Sequence, residues 1–314
     1  MTYKVERYTQ KHERAWNDFL EKSKNSHFMF FRQYTDYHSD RFEDFSLIFS
    51  DEKGRVVALL PANLANGVCY THQGLSFGGF LTTEKTSTQD VIALFNTLID
   101  YLKQNAISRL VYKPVPHFYH SLPAQEDLYA LYRNGAALVR RDVSSVIDLQ
   151  RPIRYSKGRK WSVNKAKKAN VSVVEKKDLS EFWSLLTNTL ESQHKAQPVH
   201  TIKEVQSLRN AFPDNIRLFV AERDQLLLAG ALLFVNRDVV HTQYLANSEA
   251  GREMAALDLV LDYLITGAFR EFRYFSFGIS TEDNGRYLNE GLIAQKEGFG
   301  ARAVVHDIYE IAIP

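Results

Sequence analysis

The chain has little cysteine, no long apolar run and almost no excess charge, and each of these absences excludes a class of protein. Cys69 is the only cysteine in 314 residues, so no internal disulfide forms, and its apolar neighbours favour a buried, inert thiol. No segment approaches the roughly 20 apolar residues that cross a bilayer. The formal net charge of +2 excludes a chain that is basic throughout. The charged N-terminal segment lacks the apolar core of a signal peptide, so we expect a cytoplasmic protein.

Several catalytic signatures are also missing. The sequence contains no Gly-x-Ser-x-Gly elbow and no phosphate-binding loop ending in Gly-Lys-Ser/Thr. Glu191, His194 and His200 lie close together in sequence, but their spacing matches no zinc pattern, so we expect no metal. The hydrophobic content of 45% and charged content of 24% are typical of a soluble globular protein, and the length suits two domains.

The chain repeats itself at the level of hydrophobic pattern. Phe45–His72 aligns without a gap with Ile216–Gln243, and each segment predicts three apolar strands joined by polar turns. Two further pairs follow in the same order, each a helix followed by a strand: Val91–Pro116 with Ala255–Ser280, and Leu128–Leu149 with Leu288–Ile311. We therefore predict two copies of one α/β unit, residues 1–150 and 151–314. Each should contain a mixed, partly parallel sheet flanked by helices.

This tandem order of elements resembles the GNAT superfamily of N-acyltransferases, and within it the Fem-type branch and its relatives in bacterial polysaccharide clusters. The resemblance covers nearly the whole chain. Its most specific stretches are HQGLSFGGFL (72–81), RNGAALVRRDVSSVIDL (133–149), KGRKWSVNKAKKANVSV (157–173) and FGISTEDNGRYLNEGLIAQKEGFG (277–300). The resemblance implies two tandem GNAT-like domains and the transfer of an acyl group to an amine.

The resemblance also implies the substrates. Most GNAT members take the acyl group from acyl-coenzyme A, so we expect acyl-coenzyme A as a co-substrate and no permanently bound cofactor. The acceptor would be the amine of a small or nucleotide-linked amino sugar, attacking directly, because the sequence shows no activated nucleophile. Fem-type enzymes use aminoacyl-tRNA instead, and this donor is the first alternative. A non-catalytic duplicate that binds a ligand is the second.

A coenzyme-A-binding GNAT protein carries the pattern Q/R-x-x-G-x-G/A before its central helix, where free backbone N–H groups hold the pyrophosphate. The corresponding segment here is NSEAGREMAALDLV (247–260). Gly251, Arg252 and Ala255 are the candidate cofactor-binding residues. Glu249 and Glu253 stand beside them, and their carboxylates repel phosphate.

His241 and Tyr244 are the candidates for proton transfer, since the strand VVHTQYLAN (239–247) faces the acyl donor in a GNAT protein. Side chains alternate along a strand, so these two face one cleft only if a bulge separates them. The alternative is that both are half-buried core residues.

A polar loop after the strand Arg273–Gly278 is the candidate acceptor site, because ligands collect beyond the carboxyl ends of parallel strands. It offers a candidate catalytic residue, Glu282, and candidate acceptor ligands Ser280, Asp283, Asn289 and Lys296. Lys296 matches the lysine of the Fem-type pattern F-K-x-x-F-G, which lies near the acceptor phosphates, although Gln295 replaces the aromatic residue. The alternative is a solvated connector, since the same residue types make turns and helix caps.

A basic segment joins the two copies. Residues 151–168 contain eight Lys or Arg and no acid, and they predict a linker helix at the start of the second copy. Arg159, Lys160 and Trp161 are candidates for holding the phosphates of a nucleotide-linked acceptor, coenzyme A or tRNA. A solvated helix face is the alternative.

Overall fold

The computed structural model describes residues 3–314, and for Gln193 and His194 it describes the backbone alone. The side chain of His194, considered above as a metal ligand, therefore lies outside the described residues. The chain forms two compact units: unit 1 holds the residues up to Asp142 together with Val305–Pro314, and unit 2 holds Val143–Val304. Relative to the predicted boundary at residue 150, residues 143–150 lie in unit 2 and 305–314 in unit 1.

The secondary structure alternates strands and helices along the chain. The strands are β1 (Lys4–Arg7), β2 (Glu43–Asp44), β3 (Leu47–Ser50), β4 (Val56–Leu60), β5 (Asn63–Ala65), β6 (Val68–Tyr70), β7 (Leu81–Thr82), β8 (Arg109–Tyr112), β9 (Ala137–Asp148), β10 (Ser172–Lys176), β11 (Ile216–Arg223), β12 (Leu226–Asn236), β13 (Val239–Asn247), β14 (Tyr274–Ile279), β15 (Thr281–Glu282), β16 (Tyr287–Leu288) and β17 (Arg302–Ala312). The helices are α1 (Glu13–Lys22), α2 (Arg32–Thr35), α3 (Thr88–Gln104), α4 (Glu126–Arg133), α5 (Lys157–Lys168), α6 (Ser180–His194), α7 (Ile202–Ala211), α8 (Glu249–Met254), α9 (Ala256–Tyr263) and α10 (Glu290–Gly298).

Unit 1 contains one antiparallel sheet, β1-β3-β4-β7, and a mixed set of strands, β17-β8-β6-β5-β2. Strands β6 and β8 are parallel, and β17 runs antiparallel to β8. Helix α3 begins with a capping box made by Ser87 and Asp90. Its apolar residues recur at helical spacing and are buried in the core of the unit, among them Leu94, Phe95 and Leu98.

Unit 2 is built on the strand order β10-β11-β12-β13-β14-β9. Strands β10 to β13 pair antiparallel, β14 lies parallel to β13, and β9 runs antiparallel to β14. Helix α9 packs its apolar face on this sheet, and the two form one buried core. The predicted fold class, a mixed and partly parallel sheet flanked by helices, is confirmed.

The first predicted meander differs from the second in one respect. Phe45–His72 forms four short strands divided between two sheets, whereas Ile216–Gln243 forms the long hairpin of β11, β12 and the start of β13. Pro61 lies at the division, directly after β4, and a proline cannot donate a ladder hydrogen bond. The aligned position in unit 2 is Leu232, which continues β12 without interruption.

Candidate active site

Two parallel strands of unit 2 separate where the candidate residues lie. In the described chain, β13 and β14 pair at Val239–Tyr274, Val240–Phe275 and His241–Ser276 and no further. Strand β13 continues to Asn247 and β14 to Ile279. We call the space between these unpaired ends the strand opening. Ligands commonly bind beyond the carboxyl ends of parallel strands, so this is the place in unit 2 to look for a site.

A β-bulge lies in β13 beside this opening. Tyr244 is opposite Leu232 while Thr242 is opposite Leu233, so Gln243 is the extra residue. His241 is opposite Phe234, which shares a sheet face with Leu232. The bulge therefore turns His241 and Tyr244 to the same face, which was the condition stated from the sequence.

The imidazole of His241 lies beside two residues of β14, Ser276 and Gly278. Its Nδ1 atom lies 3.1 Å from the hydroxyl oxygen of Ser276, a fully buried residue. A Cβ placed on Gly278 would approach the ring Cε1 to 3.1 Å, so the glycine leaves room for the ring edge. Gly278 also has φ +73°, a conformation that glycine adopts without strain. The ring is thus fixed in orientation and half-buried.

Tyr244 meets a residue that the sequence did not assign to the site. Its hydroxyl lies 2.7 Å from Nδ1 of His200, and its ring packs edge-on against Trp183 at 5.5 Å between centroids. Burial raises the pKa of the phenol, so Tyr244 keeps its proton at neutral pH. His200 belongs to the loop before α7, and no spacing in the sequence links it to β13.

Lys296 lies inside the protein at the end of β14. Its ammonium donates to the carbonyls of Gly278 (2.9 Å) and Ile279 (2.6 Å) and to the hydroxyl of Ser280 (2.8 Å). The residue is 5% exposed, and burial lowers its pKa to about 8. The structure thus brings Lys296 to the strand that carries Ser276, and its bonds go to the protein itself.

The other residues of the polar loop either stabilise the local fold or are exposed to solvent. The side chain of Asn289 caps α10, accepting from the N–H of Leu292 at 3.0 Å, and donates to Glu282 at 2.9 Å. Asp283 is exposed and starts a left-handed turn with φ +47°. Helix α10 begins at Glu290, after the small hairpin of β15 and β16. The carboxylates of Glu282 and Asp283 remain exposed beside the opening.

The candidate coenzyme segment forms a broken helix. A Cβ on Gly251 would clash with the carbonyl of Leu228, so the glycine allows α8 to pack on β12. The hydroxyl of Ser248 already caps the helix start, accepting from the N–H of Gly251 at 2.9 Å. Arg252 donates to the carbonyl of Asn247 at 3.0 Å, and Ala255, with φ +57°, separates α8 from α9.

Helix α5 has two chemically different sides. On the inner side, Arg159 pairs with Asp258, and Lys167 pairs with Asp262 at 3.0 Å. The outer face consists of exposed residues at helical spacing: Lys157, Lys160, Trp161, Lys165 and Lys168. Within the described residues, these lysines form no ion pair. The outer face is therefore an unneutralised basic surface around an indole ring that is 64% exposed.

Two other kinds of site have no candidate in the described part of the chain. Among the residues whose side chains the structure describes, no group of three or more His, Cys, Asp or Glu is arranged to hold a metal ion. No helix within residues 3–314 is long and apolar enough to cross a membrane.

One family model matches a part of the chain. Residues 156–287, which include α5, β13 and β14, match the family model described as "Acetyltransferase (GNAT) domain". No curated protein matches the chain in sequence.

The chain is similar in structure to several solved proteins. FemX has a TM-score of 0.71 at 12% identity, covering 98% of this chain and 97% of that one. L-PGS from Bacillus licheniformis has a TM-score of 0.61 at 12% identity, covering 98% and 92%. A tandem GNAT protein from the clavulanic acid biosynthesis pathway has a TM-score of 0.56 at 14% identity, covering 99% of both. The chain therefore has the fold of tandem GNAT proteins, and its residues 156–287 match an acetyltransferase (GNAT) domain.

Proposed function

We propose that the protein transfers an acyl group to an amine, with the reacting atoms in the strand opening of unit 2. The observation that carries the proposal is the bulge at Gln243, which turns His241 and Tyr244 to one face where β13 and β14 separate. A gap between strands admits the acyl carbonyl, and polar groups on one face meet it together.

His241 would act as the base. When Nδ1–H donates to the Ser276 hydroxyl oxygen, Nε2 is the basic nitrogen of the ring. The amine nitrogen attacks the acyl carbonyl carbon, and its proton passes to Nε2. As the tetrahedral intermediate collapses, the bond to the donor oxygen or sulfur breaks and the leaving atom takes up the proton held on Nε2. Tyr244, which keeps its proton, supplies an O–H donor on the same face.

For the donor, we favour an aminoacyl ester on tRNA over acyl-coenzyme A. The start of α8 is capped by its own Ser248 and flanked by the exposed carboxylates of Glu249 and Glu253, which is unfavourable for a pyrophosphate. The outer face of α5 offers four lysines for phosphates and Trp161 for stacking on an unpaired base. The resemblance to Fem-type enzymes supports the same donor.

For the acceptor, we propose the amine of a small or nucleotide-linked amino sugar. Glu282 and Asp283 are exposed carboxylates beside the end of β14, and they favour the approach of an ammonium group.

The test is a transfer assay with both donors. Purified protein is incubated with charged tRNA or with acetyl-coenzyme A, together with a panel of free and nucleotide-linked amino sugars, and acylated products are identified by mass spectrometry. We expect product from charged tRNA. Product only from acetyl-coenzyme A would identify acyl-coenzyme A as the donor instead. No product from either donor would contradict the proposed function.

The outer face of α5 gives a matched binding test. We expect Lys160→Glu and Lys168→Glu each to weaken tRNA binding and to lower the slope of log K against log salt by about 1 for each phosphate that the variant no longer neutralises. Lys203→Glu on the exposed side of α7 is the control with the same charge change. Equal affinity for all three variants in a filter-binding assay would mean that α5 does not contact the RNA.

A further inference from the structure

The end of β14 is shaped by one buried side chain. Strand β14 loses register with β9 between Ser276 and Ile279, and Gly278 in that interval has a left-handed conformation. Such an irregularity leaves carbonyl groups without ladder partners. The ammonium of Lys296 supplies the missing donors, since it binds the carbonyls of both Gly278 and Ile279.

The next residue is fixed as well. Ser280 donates its backbone N–H to the carbonyl of Val143 on β9 at 2.7 Å, and its side-chain hydroxyl receives the third bond from Lys296 at 2.8 Å. Lys296 therefore joins α10 to three consecutive residues of the irregular strand end. A side chain with all its donors engaged holds a backbone in one conformation more firmly than any single bond does.

That conformation determines where the His241 ring lies. The Ser276 hydroxyl lies 3.1 Å from Nδ1, and Gly278 lies next to the adjoining ring atom Cε1, which a Cβ at that position would approach to 3.1 Å. Both contacts belong to the strand segment whose end Lys296 fixes. A change in the path of Gly278 would therefore change the position of the imidazole.

We propose that Lys296 is a positioning residue that orients His241 through Gly278 and Ile279, and that it does not bind an acceptor phosphate. The catalytic meaning of this role rests on the proposed function, in which His241 is the base. An ammonium that is 5% exposed and bound to two carbonyls and a hydroxyl would have to give up these partners to reach a phosphate. Its place in the fold suits support of the site and not contact with the substrate.

The first test is independent of activity. Protein with isotope-labelled histidine is studied by NMR, and the His241 signals are assigned by their loss in His241→Gln. We expect Lys296→Met to shift the ring signals of His241 and to change its titration. Ser280→Ala, which removes one of the three acceptors, should produce a smaller change in the same direction. Lys203→Met, which removes an exposed ammonium from α7, is the control and should leave the signals in place.

The outcomes separate the two roles. His241 signals that coincide in wild type and Lys296→Met would overturn the proposal, and if that variant does not fold, unchanged signals in Ser280→Ala would do the same. Because the spectra need no substrate, this result stands whether or not acyl transfer is found. If transfer is found, we expect Lys296→Met to lower kcat and to leave KM at its wild-type value for both the free and the nucleotide-linked acceptors. A rise in KM confined to the nucleotide-linked acceptor would identify a phosphate ligand and contradict the proposal.

Discussion

Each unit contains one pair of parallel strands at an equivalent position, and the two units differ in the chain that follows this pair. In unit 2 the last pair of the ladder is His241 with Ser276, and the strands then separate. In unit 1 the last pair is Tyr70 with Val111. Beyond this pair the chain of unit 1 stays beside the neighbouring strand, because Lys113 donates its backbone N–H to the hydroxyl of Thr71 at 2.8 Å and Gly78 pairs in parallel with Pro114. Unit 2 thus has a histidine at the end of its parallel ladder, and unit 1 has a tyrosine at the same position, beyond which the pairing continues.

The segment 71–80 of unit 1 runs beside the residues that follow β8. Gly78 donates to the carbonyl of Lys113 at 2.7 Å, and a Cβ at Gly78 would clash with Thr71. The buried ammonium of Lys113 binds the carbonyls of His72 and Leu75. Duplication has thus preserved the fold in both halves, while the chemistry we propose needs the geometry of only one.

The largest expected effect lies in unit 2. We expect His241→Gln to lower kcat/KM about 10²–10⁴-fold, the usual contribution of a general base, with little change in the free energy of unfolding. Tyr70→Phe alters the equivalent ladder position of unit 1 and should leave kcat/KM near the wild-type value. Equal losses in the two variants would mean that the units do not differ as described.

A change beside the segment 71–80 of unit 1 should lower stability and leave activity unchanged. The hydroxyl of Tyr112 accepts from the N–H of Phe80 at 2.7 Å and donates to Asp127 at 3.0 Å. Tyr112→Phe leaves both groups buried without this partner, so we expect a loss of about 3 kcal/mol in the free energy of unfolding. Denaturant titration measures it. Activity per folded molecule should be retained, and its disappearance would show that unit 1 takes part in the reaction.

The smallest effect concerns pH. Burial raises the pKa of Asp127 to about 7, well above its value in the unfolded chain. Between these two pKa values the folded state binds more protons than the unfolded state, so stability falls as pH rises toward 7 and levels off above it. Between pH 6 and 8 we expect wild type to lose about 1.4 kcal/mol relative to Asp127→Asn, the equivalent of one pKa unit. Parallel pH profiles of unfolding free energy for the two proteins would contradict this.

The sequence predicted the features that depend on local pattern. The hydrophobic pattern repeats along the chain, so it predicted two copies with mixed sheets. The alternation of side chains along β13 indicated that His241 and Tyr244 could face one cleft only with a bulge between them. The residue types of the loop at Ser280–Asn289 predicted its turns and its helix cap.

The remaining features depend on contacts between distant segments. A lysine within a short helix is expected to be exposed, and only the packing of α10 against the end of β14 buries Lys296. The approach of His200 to Tyr244 also arises in three dimensions. The exchange of residues 143–150 and 305–314 between the units leaves no trace in hydrophobic pattern, because a strand looks the same whichever sheet it joins.

The difference between the two units is tested most directly by hydrogen exchange with and without a donor analogue, a non-hydrolysable aminoacyl-RNA or a non-transferable coenzyme A thioester. Both units are read in one experiment, since each contributes peptides from its own strand pair. We expect the analogue to protect residues 242–247 and 276–280 of unit 2 and to leave residues 71–80 of unit 1 unchanged. Protection of residues 71–80 without protection in unit 2 would mean that the donor binds in the other copy, against the function proposed for the strand opening.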